Sequence, residues 1–164
     1  MSRHLLVTND FPPKIGGIQS YLWELWRRLP PEDVTVLTSP HADDDLFDRE
    51  QAFRIERTRE PVLLPNPVLA RRVRRLAADA GAQAVVLDPA LPLGLIGPNL
   101  ALPYAAVLHG SEVTVPGRLP NSARRMLARQ ACVLSGPIAS ACWYRGQNST
   151  PALPPRRRLP ATLR

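Results

Sequence analysis

The sequence predicts an α/β fold, a parallel sheet covered by helices on both faces. Three observations carry that reading. Short continuous apolar runs recur at residues 3–9, 34–38, 84–87, 104–108 and 131–134, compact enough for strands buried on both sides. Segments of helical periodicity lie between several of them. The first run begins almost at the N-terminus, where an open sheet often places its first strand. Ligands of such sheets gather at the carboxyl ends of the strands, so the loops 9–17 and 109–112 are the places to search for chemistry.

Taken in order, Arg3-His4-Leu5-Leu6-Val7-Thr8-Asn9 is the first strand, followed by the Pro- and Gly-rich loop Asp10-Phe11-Pro12-Pro13-Lys14-Ile15-Gly16-Gly17. A helix is predicted over 18–29, because Ile18, Leu22, Leu25, Trp26 and Leu29 recur at spacings of three and four. Pro30-Pro31 stops it. Residues 34–38 form the second strand, and 62–64 a further short strand or an extended loop. A helix follows over 68–80, with Gly81 as its C-cap. Then come a strand at 84–87, a short helix or loop at 92–100, and a strand at 104–108 that ends at His109-Gly110. A helix over 122–129, capped by Asn121 or Ser122, precedes a last strand at 131–134. From 136 to 164 no periodicity remains. The Pro- and Arg-rich stretch 151–164 cannot bury a core of its own and is expected to be disordered.

The chain has 164 residues, 45% of them hydrophobic and 21% charged, which suits one soluble domain with a real core. No run approaches the roughly 18–20 apolar residues of a membrane span. Residues 1–10 lack the layout of a signal peptide, so a cytoplasmic location is expected. Cys132 and Cys142 have neither metal-ligand spacing nor a disulfide pattern. The net charge of +7 is carried almost wholly by arginine, Lys14 being the only lysine. Such a balance suits nucleic acid, anionic lipid or phosphorylated small molecules, and it also follows from a GC-rich coding sequence. Nucleic-acid binding is disfavoured: no aromatic platform, zinc spacing or helix-turn-helix signature accompanies the charge.

Four motifs have chemistry to offer. Gly16-Gly17 leads into a helix, and a helix N-terminus presents backbone N–H groups that a phosphate can approach where no Cβ intervenes. The pattern is not G-x-G-x-x-G, and a ligand-free tight turn is its simpler reading. His109-Gly110-Ser111-Glu112 stands at a strand's carboxyl end, where an imidazole can donate a hydrogen bond to a ligand oxygen or a developing charge, although a lone histidine is more often a surface or core residue. Arg71, Arg72, Arg74 and Arg75 flank an apolar stripe of Leu69, Val73 and Leu76, an arrangement suited to anionic headgroups or simply to a solvated face. Asp43-Asp44-Asp45 contains a D-x-D, yet it lies in what reads as a solvated acidic loop, and no metal site is expected.

The segment Leu5-Leu6-Val7-Thr8-Asn9-Asp10-Phe11-Pro12-Pro13-Lys14-Ile15-Gly16-Gly17-Ile18-Gln19 resembles the opening of the family-4 retaining glycosyltransferases, and within them the actinobacterial phosphatidylinositol mannosyltransferases. Pro92-Leu93-Gly94-Leu95, His109-Gly110-Ser111-Glu112-Val113 and Pro116-Gly117-Arg118-Leu119-Pro120 agree in the same order, so the likeness covers about residues 3–135. It implies a GT-B architecture, two Rossmann-like domains facing across a cleft, of which residues 1–135 are the N-terminal, acceptor-side domain. It implies that Gly16 and Gly17 touch the donor phosphate and that His109 is the active-site histidine. Asp10, Gln19 and Glu112 would lie on the acceptor side, and Arg71, Arg72, Arg74 and Arg75 at anionic lipid. The implied substrates are a nucleotide sugar, GDP-mannose, and a lipid such as phosphatidylinositol, with no further cofactor. The implied workplace is the inner face of the plasma membrane.

The likeness stops near residues 135–139, where the family continues into a second, donor-binding domain. A shifted reading frame is the preferred account of the tail, and a genuine short paralogue the alternative. Little or no transfer is expected of this chain alone, together with marginal stability. A reading from another class, a non-catalytic module for anionic lipid or inositol phosphate headgroups, would show vesicle binding without turnover.

Overall fold

The computed structural model describes residues 3–109 and the strand Cys132–Leu134. Six strands form one parallel sheet: β1 (His4–Thr8), β2 (Val34–Thr38), β3 (Arg54–Arg57), β4 (Ala84–Asp88), β5 (Tyr104–Leu108) and β6 (Cys132–Leu134). Their spatial order is β3-β2-β1-β4-β5-β6. The chain builds outward from β1 to β3, crosses back, and builds outward again from β4. The order therefore reverses between β1 and β4, and the crevice at such a switch point is where α/β sheets bind ligands. Register sets Thr8 opposite Asp88 across that gap.

Successive strand residues point to opposite faces and both faces are covered, which is why β1, β2, β4 and β5 are largely apolar. Leu5, Val7, Val85 and Leu87 pack with Leu69, Val73, Leu76 and Ala77 of helix α3 (Pro67–Asp79), and with Leu93 and Ile96 of a 3₁₀-helix (Leu93–Asn99). Leu6, Val36 and Val86 pack on the other face with Leu22 and Trp26 of helix α1 (Gly17–Trp26), joined by Phe11 and Phe53. Each fully buried Leu or Val contributes about 1.5–3 kcal/mol relative to exposure. Among the described residues no helix is long and apolar enough to cross a membrane.

Local chemistry sets the helix ends. Asn66 caps α3 by accepting a bond from the Leu69 N–H at 2.8 Å, and Pro67 fits the first helical position. At the other end Gly81 takes a left-handed φ of 63°. The Gly81 N–H bonds the Ala78 carbonyl and the Ala82 N–H the Ala77 carbonyl, a Schellman closure as the sequence predicts.

Of the two alternatives for 62–64 the structure forms the loop. It departs from the sequence reading in three places. The edge strand β3 has no counterpart there, since its Arg-Ile-Glu-Arg sequence has one apolar residue and carries no strand signal. The aspartates are not in a loop: Asp43 is the N-cap and Asp44 and Asp45 the first turn of a short helix, α2 (Asp44–Arg49), where their charges complement the helix dipole. Helix α1 ends at Trp26 rather than Leu29, and Leu25 is exposed; the buried stripe is Gln19, Leu22 and Trp26. Of the two alternatives for 92–100, a short helix or a loop, the structure forms a short helix, 3₁₀ in form, over Leu93–Asn99. The expected helix over 122–129 and the tail 136–164 lie outside the described residues.

Candidate functional site

The loop between β1 and α1 is fixed at its root by packing. Phe11 is fully buried, with the rings of Phe47 and Phe53 edge-on at 6.3 Å. Asn9 clamps the 58–66 loop: its Oδ1 accepts the Leu63 N–H at 2.7 Å and its Nδ2 donates to the Leu63 carbonyl at 3.1 Å. Arg57 of β3 reaches across from the sheet edge, with its side chain only 9% exposed. Its guanidinium binds both carboxylate oxygens of Asp48 at 2.7 and 2.8 Å and donates to the Pro12 and Ser39 carbonyls at 2.7 and 3.0 Å. A planar fork bonding a carboxylate and two carbonyls at once is a task for arginine rather than lysine.

Within the loop, Asp10 Oδ1 accepts from Gln19 Nε2 at 2.7 Å and from Lys14 Nζ at 2.9 Å. Gln19 is buried against Gly16, where an added Cβ would stand 2.1 Å from Gln19 Oε1. Gly16 is therefore small because Gln19 needs the space. Gly17 opens α1, and a Cβ there would meet nothing within 4 Å among the described residues. Packing gives no reason for that glycine.

The carboxyl ends of β1, β4 and β5 are neighbours in the sheet, and each contributes one polar side chain. Thr8 Oγ1 accepts the Asp10 N–H at 2.9 Å and donates to Asp88 Oδ2 at 2.7 Å. The other Asp88 oxygen is in close contact with His109 Nε2. Thr8 and Asp88 are fully buried, and His109 lies at the edge of solvent. Burial pushes the Asp88 carboxyl above the usual aspartate range. The Thr8 hydroxyl bond and the His109 imidazole hold it down in part, and Asp10 adds a further upward push. An unbroken polar chain thus runs from the Asp10 backbone through Thr8 and Asp88 to His109, joining the two loops.

The predicted site residues fall into groups. Asp10 and Gly16 lie in the first loop and Gly17 and Gln19 in the first turn of α1 that follows it, and His109 is linked to the loop through Asp88 and Thr8. Glu112 lies outside the described residues. Arg71, Arg74 and Arg75 are exposed on α3, whereas Arg72 is half-buried and donates to the Arg57 carbonyl at 3.2 Å. Val68, Arg71 and Arg75 follow one exposed stripe, with exposed Leu64 just ahead of the helix. No group of three or more His, Cys, Asp and Glu among the described residues is placed to hold a metal ion.

Sequence reasoning missed Thr8, Asp88 and Arg57. Asp88 carries a signal in retrospect: it closes the apolar run Ala84-Val85-Val86-Leu87 just as His109 closes that of β5. Arg57 carries none, since its strand has no apolar pattern.

Known proteins resemble part of this chain. It is 42% identical over 123 residues to the GDP-mannose-dependent alpha-(1-6)-phosphatidylinositol monomannoside mannosyltransferase of Mycobacterium tuberculosis, a match covering 69% of this chain and 32% of that enzyme. The protein of the same description from Mycolicibacterium smegmatis is 38% identical over 120 residues, 66% of this chain and 31% of its own length. The GDP-mannose-dependent monoacylated alpha-(1-6)-phosphatidylinositol monomannoside mannosyltransferase of Corynebacterium glutamicum is 33% identical over 115 residues, covering 66% and 30%. The chain thus spans about a third of the length of the curated relatives it matches. No family model matches it.

Proposed function

We propose that this chain belongs to the family-4 glycosyltransferases of GT-B type and is the acceptor-side part of a mannosyltransferase using GDP-mannose and an inositol lipid, a reading its likeness to three mannosyltransferases supports. The observation that carries the proposal is the crevice at the switch point. There His109 at the end of β5 is joined through Asp88 and Thr8 to the backbone of Asp10, in the loop that leads to Gly16 and Gly17 at the start of α1.

Gly17 lets the donor phosphate approach the start of α1, where N–H groups and the helix dipole favour an anion. His109 bonds a hydroxyl of the transferred sugar. Asp10 and Gln19, held by their mutual bond, face the acceptor. The exposed stripe of Val68, Arg71 and Arg75 rests on anionic headgroups, with Leu64 in the interfacial layer.

Retaining transfer needs the leaving diphosphate held and its charge neutralised. Two glycine backbones and one histidine do not supply that, so the 164-residue chain alone binds but does not turn over. The test incubates the purified chain with neutral phosphatidylcholine vesicles, with vesicles containing phosphatidylinositol, and with labelled GDP-mannose. Salt-sensitive binding to the inositol vesicles, weakened by Arg71→Glu with Arg75→Glu, is the expected result. Equal binding to both vesicle types removes the lipid assignment, and steady mannose transfer removes the claim of inactivity.

A further inference from the structure

We propose that Asp88 is a positioning residue for His109, and that with Thr8 it fixes which imidazole nitrogen carries the proton. The inference deepens the reading of His109 given above and rests on it for its functional meaning.

With Asp88 ionised, as it is at the alkaline pH of the test below, donors and acceptors along the polar chain leave one consistent arrangement. The Asp10 N–H already donates to Thr8 Oγ1, so the Thr8 hydroxyl hydrogen is committed outward, to Asp88 Oδ2. An ionised carboxylate only accepts, so its remaining oxygen, Oδ1, requires a hydrogen on His109 Nε2. All of this is built on the ends of three adjacent parallel strands, with Thr8 and Asp88 in register and fully buried. The carboxylate cannot swing away without abandoning the Thr8 hydroxyl in the interior. The imidazole is thereby held in one orientation and, when neutral, in the Nε2–H tautomer. A group that must meet a sugar hydroxyl at a set position gains from both constraints.

The Asp88→Asn variant inverts the requirement. The Thr8 hydroxyl still needs an acceptor, so the introduced amide turns its carbonyl oxygen to Thr8 and its NH₂ to His109. Nε2 must then accept, and the imidazole proton moves to Nδ1.

Imidazole ¹⁵N NMR of the 164-residue chain reads this directly at about pH 9, well above the ordinary histidine range. Signals of His109 are identified by their loss in His109→Gln, apart from those of His4 and His41. The expected result is a preference for Nε2–H of at least about tenfold, the scale of a bond to a charged partner. Thr8→Ser keeps that preference, and Asp88→Asn reverses it. A wild-type His109 unprotonated at Nε2 overturns the proposal, as does an Asp88→Asn spectrum with an unchanged tautomer. The wild-type spectrum decides even where Asp88→Asn does not fold. No substrate enters the measurement, so failure here is distinct from failure of the mannosyltransferase reading, which the vesicle and transfer assays test.

Discussion

Replacing each of the two adjacent glycines by alanine separates a packing role from a ligand role. At position 16 the new methyl would stand 2.1 Å from Gln19 Oε1 and 3.0 Å from its Cδ. Gln19 is buried, so it must swing aside and give up its 2.7 Å bond to Asp10. Losing that bond costs about 1–2 kcal/mol. Restricting the unfolded chain returns about 0.4–1 kcal/mol, leaving Gly16→Ala less stable by about 0.8 kcal/mol at the middle of the two ranges and by about 1.6 kcal/mol at most. At position 17 nothing among the described residues lies within 4 Å and the residue begins a helix, so Gly17→Ala gains about 0.5–1 kcal/mol. With a urea slope of about 1–3 kcal/mol/M, the two midpoints should differ by on the order of 1 M, in opposite directions from wild type. Adding Gln19→Ala to Gly16→Ala removes the clash, so the pair should be strongly non-additive. Equal destabilisation by both alanines, or additivity of the Gly16–Gln19 pair, would refute this division of roles. Under the proposed function the stabilised Gly17→Ala variant is the one that loses donor affinity in an intact enzyme.

Further predictions concern the scaffold and its ionisation. In Gly97→Ala the methyl would fall 2.3–2.8 Å from three atoms of the buried Tyr104 ring; overpacking should cost about 1–3 kcal/mol in urea unfolding, and Tyr104→Leu should relieve it. Arg57→Leu strands Asp48 and the Pro12 and Ser39 carbonyls; a loss of about 2–3 kcal/mol, discounted because Asp48 is partly exposed, should accompany faster amide exchange over residues 10–17. Thr38 Oγ1 is buried with no partner among the described residues, so Thr38→Val should leave stability unchanged or raise it by up to about 1 kcal/mol in the same assay. The folded pKa of Asp88 is raised, so the folded chain binds that proton more tightly than the unfolded chain. Its contribution is complete below the ordinary aspartate value of 3.8 and declines as pH rises through the raised folded value. The stability of the wild type relative to Asp88→Asn should fall over that window when unfolding midpoints are compared from pH 3 upward; a pH-independent difference would show that Asp88 is not desolvated as described.

Much of the fold could be read from the chain because its strands are buried on both faces. Leu5-Leu6-Val7 and Ala84-Val85-Val86-Leu87 announce themselves as continuous apolar runs, and Pro67, Leu69, Val73, Leu76 and Gly81 mark one helix with its closing glycine. The edge strand β3 escaped because an edge needs few apolar residues, and its pairing with β2 is decided by the backbone. The short helix α2 escaped because acidic residues read as solvated whether they cap a helix or line a loop. Of the site, the two loops were legible through Gly16-Gly17 and the strand end at His109. The bridge between them was not, because a buried Thr8–Asp88 bond joins residues 80 positions apart and depends on the strand order placing β4 beside β1. The burial of Gln19 was equally invisible, since a polar residue on a helix is ordinarily assigned to its wet face.

The most direct test of the central claim, that this chain carries the acceptor-side half of a mannosyltransferase site, is a transfer assay on a chimera. The segment of the Mycobacterium tuberculosis relative that matches this chain is replaced by the corresponding residues of this chain, and mannose transfer from GDP-mannose to phosphatidylinositol monomannoside is followed. The expected result is a chimera that transfers mannose and loses at least about 100-fold in rate on His109→Ala. A chimera that folds and binds GDP-mannose yet transfers none, beside an active parent, would contradict it.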